Sequence, residues 1–175
     1  MGEGKSYTIH KGKQSQSTNS MTSRERLRRN LEDIPYRMDF VKNVNGVAFI
    51  SDTRAMDLLS TRDSFKCLEN QTVWLTTTTS FERDYALIEK LIKKIIKAIV
   101  VYGGEAIDMK NKLGKFVDEV LAVQNLEEAI EKSFNLATKG ESVIYSPGCV
   151  NEDGYLNYVD RGRSFEKYVK ELKEV

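Results

Sequence analysis

The strongest constraint on this chain is the recurrence of short β-rich runs separated by segments of helical period. Gly46–Ser51, Thr72–Thr76, Ala98–Tyr102, Val117–Val123 and Ser142–Ser146 each read as a strand. Residues 82–96 set Leu87, Ile88, Leu91, Ile92 and Ile95 on one face, which predicts a helix over that whole stretch. A short helix is expected around 105–113, and a charged amphipathic one over 161–173. Asn125, with Glu128 three residues on, has the form of an N-cap and its return partner. The helix it opens should run to Thr138 and end at Gly140. Strand, crossover helix and strand at a spacing of about 25 residues predict an α/β fold. The expected form is Rossmann-like: a mostly parallel sheet of about five to six strands with helices on both faces.

Such sheets take ligands outside the carboxyl ends of their strands. In this sequence that edge is formed by four loops, Asp52–Asp57, Thr76–Arg83, Gly103–Glu105 and Ser146–Tyr158. A site is expected there.

Composition removes several alternatives. At 175 residues and 40% apolar, the chain suits one domain with a real core. Cys67 and Cys149 are too few for a disulfide framework or a structural zinc site. His10 is the single histidine and lies in a polar segment, so neither a His-based triad nor a His-based metal site is expected. Cys149 has no base beside it in sequence and reads as a small buried apolar residue. No catalytic residue and no metal ligand is assigned. The N-terminus has no apolar core of a secretion signal. The most apolar stretch, Leu91–Tyr102, is broken by Lys93, Lys94 and Lys97. Membrane insertion is therefore not expected, and a cytoplasmic location is.

Charge is unevenly distributed. Residues 1–30 carry a net +5 and the remainder about −4. With few apolar side chains, residues 1–22 read as a disordered basic tail ahead of a domain spanning 23–175. Arg24, Arg26, Arg28 and Arg29 lack interleaved aromatics and read as a solvated helix start. Nucleic acid is not expected as a partner, apart from weak contacts of this tail. Gly4-Lys5-Ser6 has the ending of a phosphate-binding loop, but the sequence holds no glycine five residues earlier. A Met1 start followed by this tail suggests a small natural protein rather than an excised piece.

The strand-end loops carry a resemblance. Ser146-Pro-Gly-Cys-Val-Asn-Glu-Asp-Gly-Tyr-Leu-Asn-Tyr-Val-Asp-Arg-Gly162 resembles the SPACASxDxFxNFxxRG signature of the Mur ligases, cytoplasmic ATP-dependent enzymes that add amino acids to the peptidoglycan precursor. Phe49-Ile-Ser-Asp-Thr-Arg-Ala-Met-Asp57, followed by Ser60-Thr61, is similar to the family's FINDSKATN…ST. Tyr36-Arg-Met-Asp-Phe-Val41 resembles its HRxExV segment. The resemblance covers about 33–173 and is strongest to the C-terminal domain of the D-glutamate-adding branch.

That resemblance implies a Rossmann-like third domain, which in the family holds the incoming amino acid and closes over ATP on a central domain. It implies nucleotide contact for Arg37, Asp52 and Arg54, the last standing where the family has lysine. It also implies that the amino-acid site is degenerate. Met56 and Asp57 replace Thr and Asn, and Phe81 aligns with the lysine that pairs with a D-glutamate carboxylate. Asn151 aligns with a serine that holds the same amino acid, Glu152 follows it, and Tyr158 replaces Phe. Losing a cation while Asp57 and Glu152 add two anions should weaken D-glutamate binding. The phosphate-binding loop, magnesium ligands and modified lysine belong to the family's central domain, so this chain alone is expected to need no cofactor. ATP and magnesium enter only if a partner chain supplies that domain. Three functions follow: a non-catalytic binding protein with a protein partner, such as a cell-wall ligase; the C-terminal part of a split or truncated D-glutamate ligase; and, more weakly, a small nucleotide-binding regulator using Arg37, Asp52 and Arg54.

Overall fold

A computed structural model describes residues 21–173. Residues 1–20, which hold most of the expected basic tail, lie outside the described residues. Six strands form one sheet: β1 (Asp39–Val44), β2 (Val47–Ser51), β3 (Thr72–Thr77), β4 (Ile96–Tyr102), β5 (Glu119–Val123) and β6 (Ser142–Tyr145). Their spatial order is β1-β2-β6-β3-β4-β5. All neighbouring pairs are parallel except β1 with β2. The mostly parallel α/β sheet and its Rossmann-like class are as expected.

The β1 edge was not foreseen. It is one arm of a hairpin turned at Asn45-Gly46, where both residues have positive φ (50° and 88°). Asn-Gly between two β-rich runs is a strong hairpin signal, because a two-residue turn of this twist needs residues that tolerate left-handed backbone.

Helices cover both faces. Helices α1 (Ser23–Glu32), α2 (Leu58–Lys66), α3 (Glu89–Ile95) and α4 (Ile107–Leu113) lie on one side. They bury Leu31, Phe65, Ile92 and Leu113 against Trp74, Ile99 and Ile144 of the sheet. On the other side, α5 (Leu126–Leu136) and α6 (Tyr158–Glu171) bury Ile130, Phe165 and Val169 against Phe49, Leu75 and Tyr145. Alternate residues of each central strand thus feed two cores, as a two-residue period requires.

Four sequence expectations are corrected. The helix expected over 82–96 begins only at Glu89, after a 3-10 turn at Tyr85–Leu87, and Ile96 already belongs to β4. Arg83 is drawn inward to the carbonyls of Thr77 (2.6 Å) and Pro147 (3.2 Å), and Asp84 caps the turn by accepting from the Ala86 amide. Helical backbone therefore cannot start at 82, and Leu87 is left exposed. Helix α5 stops at Leu136, and Gly140, at φ 92°, belongs instead to the turn into β6, where its amide donates to Gly46 O. Asn125 does cap α5, accepting from the Glu128 amide at 2.9 Å. The Glu128 carboxylate, however, reaches the Gln124 amide rather than that of the cap residue. Helix α6 also starts three residues earlier than expected, with Asn157 as its cap accepting from Val159 and Asp160 amides.

Candidate functional site

Strands β3 and β6 lie side by side, but the helices that follow them lie on opposite faces of the sheet. The chain parts at their carboxyl ends and leaves a crevice there, the place where open parallel sheets take ligands. All four expected loops reach it. On one side is a groove of about 510 Å³ walled by Met56, Leu59, Phe81, Leu87, Cys149 and Val150. On the other is a cavity of about 310 Å³ bordered by Thr77, Thr78, Gly103, Glu152, Asp153 and Tyr155. Glu105 borders a smaller space beside Thr77–Thr79. Met56, Leu59, Phe81, Leu87 and Val150 are all exposed large apolar residues, and Phe81 is 64% exposed. Their gathering into one groove gives this edge an apolar wall.

Glu152 crosses the crevice. Its carboxylate accepts from Thr79 Oγ1, the Ser80 amide and Ser80 Oγ, each at 2.8 Å. These bonds, led by the Ser80 amide, hold its carboxyl below the usual carboxylate range. Asp57 is likewise engaged: it caps α2 by accepting from the Ser60 amide at 2.7 Å. The two carboxylates that the sequence presents as added free anions are thus both satisfied by nearby donors.

Arg37 and Asp52 lie deeper. Asp52 follows β2 and is fully buried, while Arg37 is 8% exposed. Arg37 Nε donates to Asp52 Oδ1 at 2.9 Å, and its Nη2 reaches Ser60 O and Ser64 Oγ. The other Asp52 oxygen accepts from Ser146 Oγ at 2.8 Å. Burial pushes the Asp52 carboxyl up, and Arg37 opposes that shift. Tyr36 and Met38, on either side of Arg37, have φ of 64° and 53°, so the backbone is held in a strained form where it presents this guanidinium. Arg54 is exposed and sits over the Tyr158 ring at 5.1 Å, with Tyr36 edge-on to the same ring. Tyr158 therefore joins Arg54 rather than the groove that contains Met56 and Phe81. Asn151 makes only a long contact to Tyr155 O, at 3.5 Å.

The signature loop is anchored from beneath. Trp74 Nε1 donates to Ser146 O at 2.7 Å, and Thr61 and Ser146 hydroxyls meet at 2.9 Å. Arg161, fully buried at the start of α6, pairs with Asp153 at 2.9 Å. The Tyr102 hydroxyl bonds both Asp153 and the Tyr145 hydroxyl. Burial foremost, then the Asp153 charge, raises the Tyr102 phenol. Cys149 is buried and burial pushes its thiol up, which leaves it a poor nucleophile at neutral pH.

Several of these residues were not singled out in the sequence. Arg83 sits in a polar run that reads as a helix start, and nothing local shows that it turns inward. Tyr102 and Tyr145 carried a signal: each ends a buried strand, and a phenol at such a position needs a polar partner. Among the described residues, no group of three or more His, Cys, Asp or Glu side chains could hold a metal ion, and no helix is long and apolar enough to cross a membrane.

The fold and its strand-end crevice define a Rossmann-like α/β domain, and its sequence is similar to one part of the Mur ligases. The chain is 33% identical over 158 residues to a UDP-N-acetylmuramoylalanine–D-glutamate ligase of Bacteroides fragilis, covering 86% of this chain and 35% of that protein. It is 31% identical over 149 residues to the enzyme of that name from Prochlorococcus marinus (83% and 32%), and 28% identical over 141 residues to that of Christiangramia forsetii (81% and 32%). This chain is thus a Mur-ligase-related domain, similar to the D-glutamate ligases and spanning about a third of their length. A MurF ligase of Thermotoga maritima in complex with ADP superposes at a TM-score of 0.45 with 12% identity, over 79% of this chain and 32% of that one. No family model matches the sequence.

Proposed function

We propose that this chain is a Mur-ligase C-terminal-like domain that acts by binding, in the cytoplasm and in connection with peptidoglycan precursor synthesis, without catalysing ligation alone. One observation carries the reading: charged groups at the positions the resemblance marks as nucleotide-binding or degenerate amino-acid-binding are engaged within the fold. Arg37 is spent on Asp52, and Glu152 on Ser80, while Phe81 fills the lysine's place. Loss of one charge-assisted hydrogen bond to a bound anion costs about 1.5–3 kcal/mol, or roughly 10–100-fold in affinity. Met56, Asn151 and Tyr158 offer no cation in compensation. The partner is a protein, with a cell-wall ligase as the first candidate. ATP and magnesium belong to that partner rather than to this chain.

Calorimetry tests the reading. Titration of the chain with D-glutamate, and separately with ATP, is expected to give no saturable heat in the millimolar range. A saturable D-glutamate isotherm would overturn it.

A second reading keeps the chain within an enzyme. It is supported by the similarity to D-glutamate ligases over more than four-fifths of the chain. In that case the chain docks onto a separate ATP-binding chain. Mixing the two with ATP, magnesium, UDP-muramoyl-alanine and D-glutamate would then release phosphate only when this chain is present.

A further inference from the structure

The span of Glu152 over the crevice has the form of a bound ligand. We propose that Thr79 and Ser80 form a carboxylate-binding cradle at the switch point of the sheet, and that the chain fills it with its own Glu152. The proposal rests on reading the strand-end crevice as the binding face.

Geometry comes first. Two consecutive residues aim three donors at one carboxylate and engage both of its oxygens: Thr79 Oγ1 and the Ser80 amide reach Oε2, and Ser80 Oγ reaches Oε1. Thr79 Oγ1 also accepts from the Phe81 amide at 3.3 Å, which directs its own hydrogen toward Glu152. Convergent neutral donors of this kind recognise a carboxylate by shape and by the fork of its oxygens.

Position comes second. Thr79 follows β3 and Glu152 follows β6, the two neighbours whose chains part. Thr79 borders the 510 Å³ groove and Glu152 borders the 310 Å³ cavity, so the glutamate is the bar between two open spaces. Glu152 is an exposed side chain, and burial does not hold it there. A tethered group competes at an effective concentration in the millimolar range, so free carboxylates of similar intrinsic affinity bind more weakly than they would to an open cradle. Phe81 and Met56 wall the adjoining groove, which sets the guest's chemistry as a carboxylate with an apolar chain.

The test follows the Ser80 amide by two-dimensional NMR in the full chain, with hexanoate as the probe. Wild type is expected to show a weaker shift that saturates only at higher hexanoate. Glu152→Ala is expected to saturate in the millimolar range, with an apparent Kd about twofold or more below the wild-type value. Glu152→Gln keeps the size of the side chain and loses its charge. Should the alanine variant fold poorly, Gln is expected to give the same saturable shift with a weaker gain. Absence of a saturable Ser80 shift in both variants would overturn the cradle, and so would a wild-type response equal to theirs. Failure of the non-catalytic reading appears elsewhere, as D-glutamate heat or phosphate release by wild type.

Discussion

Arg37 donates to Asp52 across 2.9 Å, with both side chains almost wholly removed from water and Arg37 flanked by two residues of positive φ. A buried pair of this kind costs most when one member is removed, because the other keeps its charge without a partner. Asp52→Asn and Arg37→Met are each expected to destabilise the fold by about 3–5 kcal/mol. The double variant should lose less than the sum of the two, since it buries no orphan charge. Urea midpoints of the four proteins at neutral pH measure the coupling. Strict additivity would mean that the two side chains act independently.

Gly162 sets two effects of opposite sign against each other. It lies inside α6, where Gly→Ala ordinarily stabilises by about 1 kcal/mol. A Cβ there would stand 2.4 Å and 2.7 Å from two ring carbons of Tyr36, and 2.9 Å from Thr53 Oγ1. Overpacking of that severity costs about 1–3 kcal/mol. The Tyr36 ring has little room to yield, since its backbone is held at φ 64° and its ring is edge-on to Tyr158. Gly162→Ala is therefore expected to lower the Tm, and the penalty should shrink in a Tyr36→Gly background, where the ring is gone and glycine accepts the positive φ.

The sequence exposes what repeats and hides what converges. Short β-rich runs located five of the six strands, because a strand buried on both faces leaves a continuous run such as Ile99-Val100-Val101 that no surface segment needs. The β1 hairpin carried its mark in Asn45-Gly46, yet Asp39–Val44 is half exposed and shows no clean period. The segment 82–96 has helical spacing throughout, but spacing cannot reveal that Arg83 is pulled to Pro147, 64 residues away. The four strand-end loops were legible as the site from topology alone. The fate of Glu152 was not, since its partner amide lies 72 residues away in another loop, whereas Asp57 bonds the Ser60 amide three residues on, in the local form of an N-cap.

The Tyr102–Asp153–Arg161 network predicts how the signature loop is held. Arg161→Ala strands Asp153 in a buried setting and is expected to cost about 3–5 kcal/mol. Tyr102→Phe removes the donor to Asp153 and its bond to Tyr145, for about 1–2 kcal/mol. Both should raise amide exchange across Ser146–Tyr158 more than in α4, which touches none of the three residues' hydrogen bonds. Equal acceleration in the two segments would show only global destabilisation.

Glu152 gives the pH dependence its sign. Bonds from Ser80 and Thr79 hold its folded pKa below the value in the unfolded chain. The unfolded state therefore binds its proton first as pH falls, and stability contributed by the carboxylate is complete above the unfolded pKa. It is lost as pH drops through the folded one. Wild type is expected to exceed Glu152→Gln in stability at neutral pH by a margin that narrows through the acid range and closes below the folded pKa. Comparing the two proteins cancels the other lowered carboxylates, such as Glu141 beside Lys97. Urea midpoints of both, taken at intervals from neutral pH into acid, provide the check. A margin that stays constant or widens in acid would show that the Ser80 and Thr79 donors do not favour the ionised form.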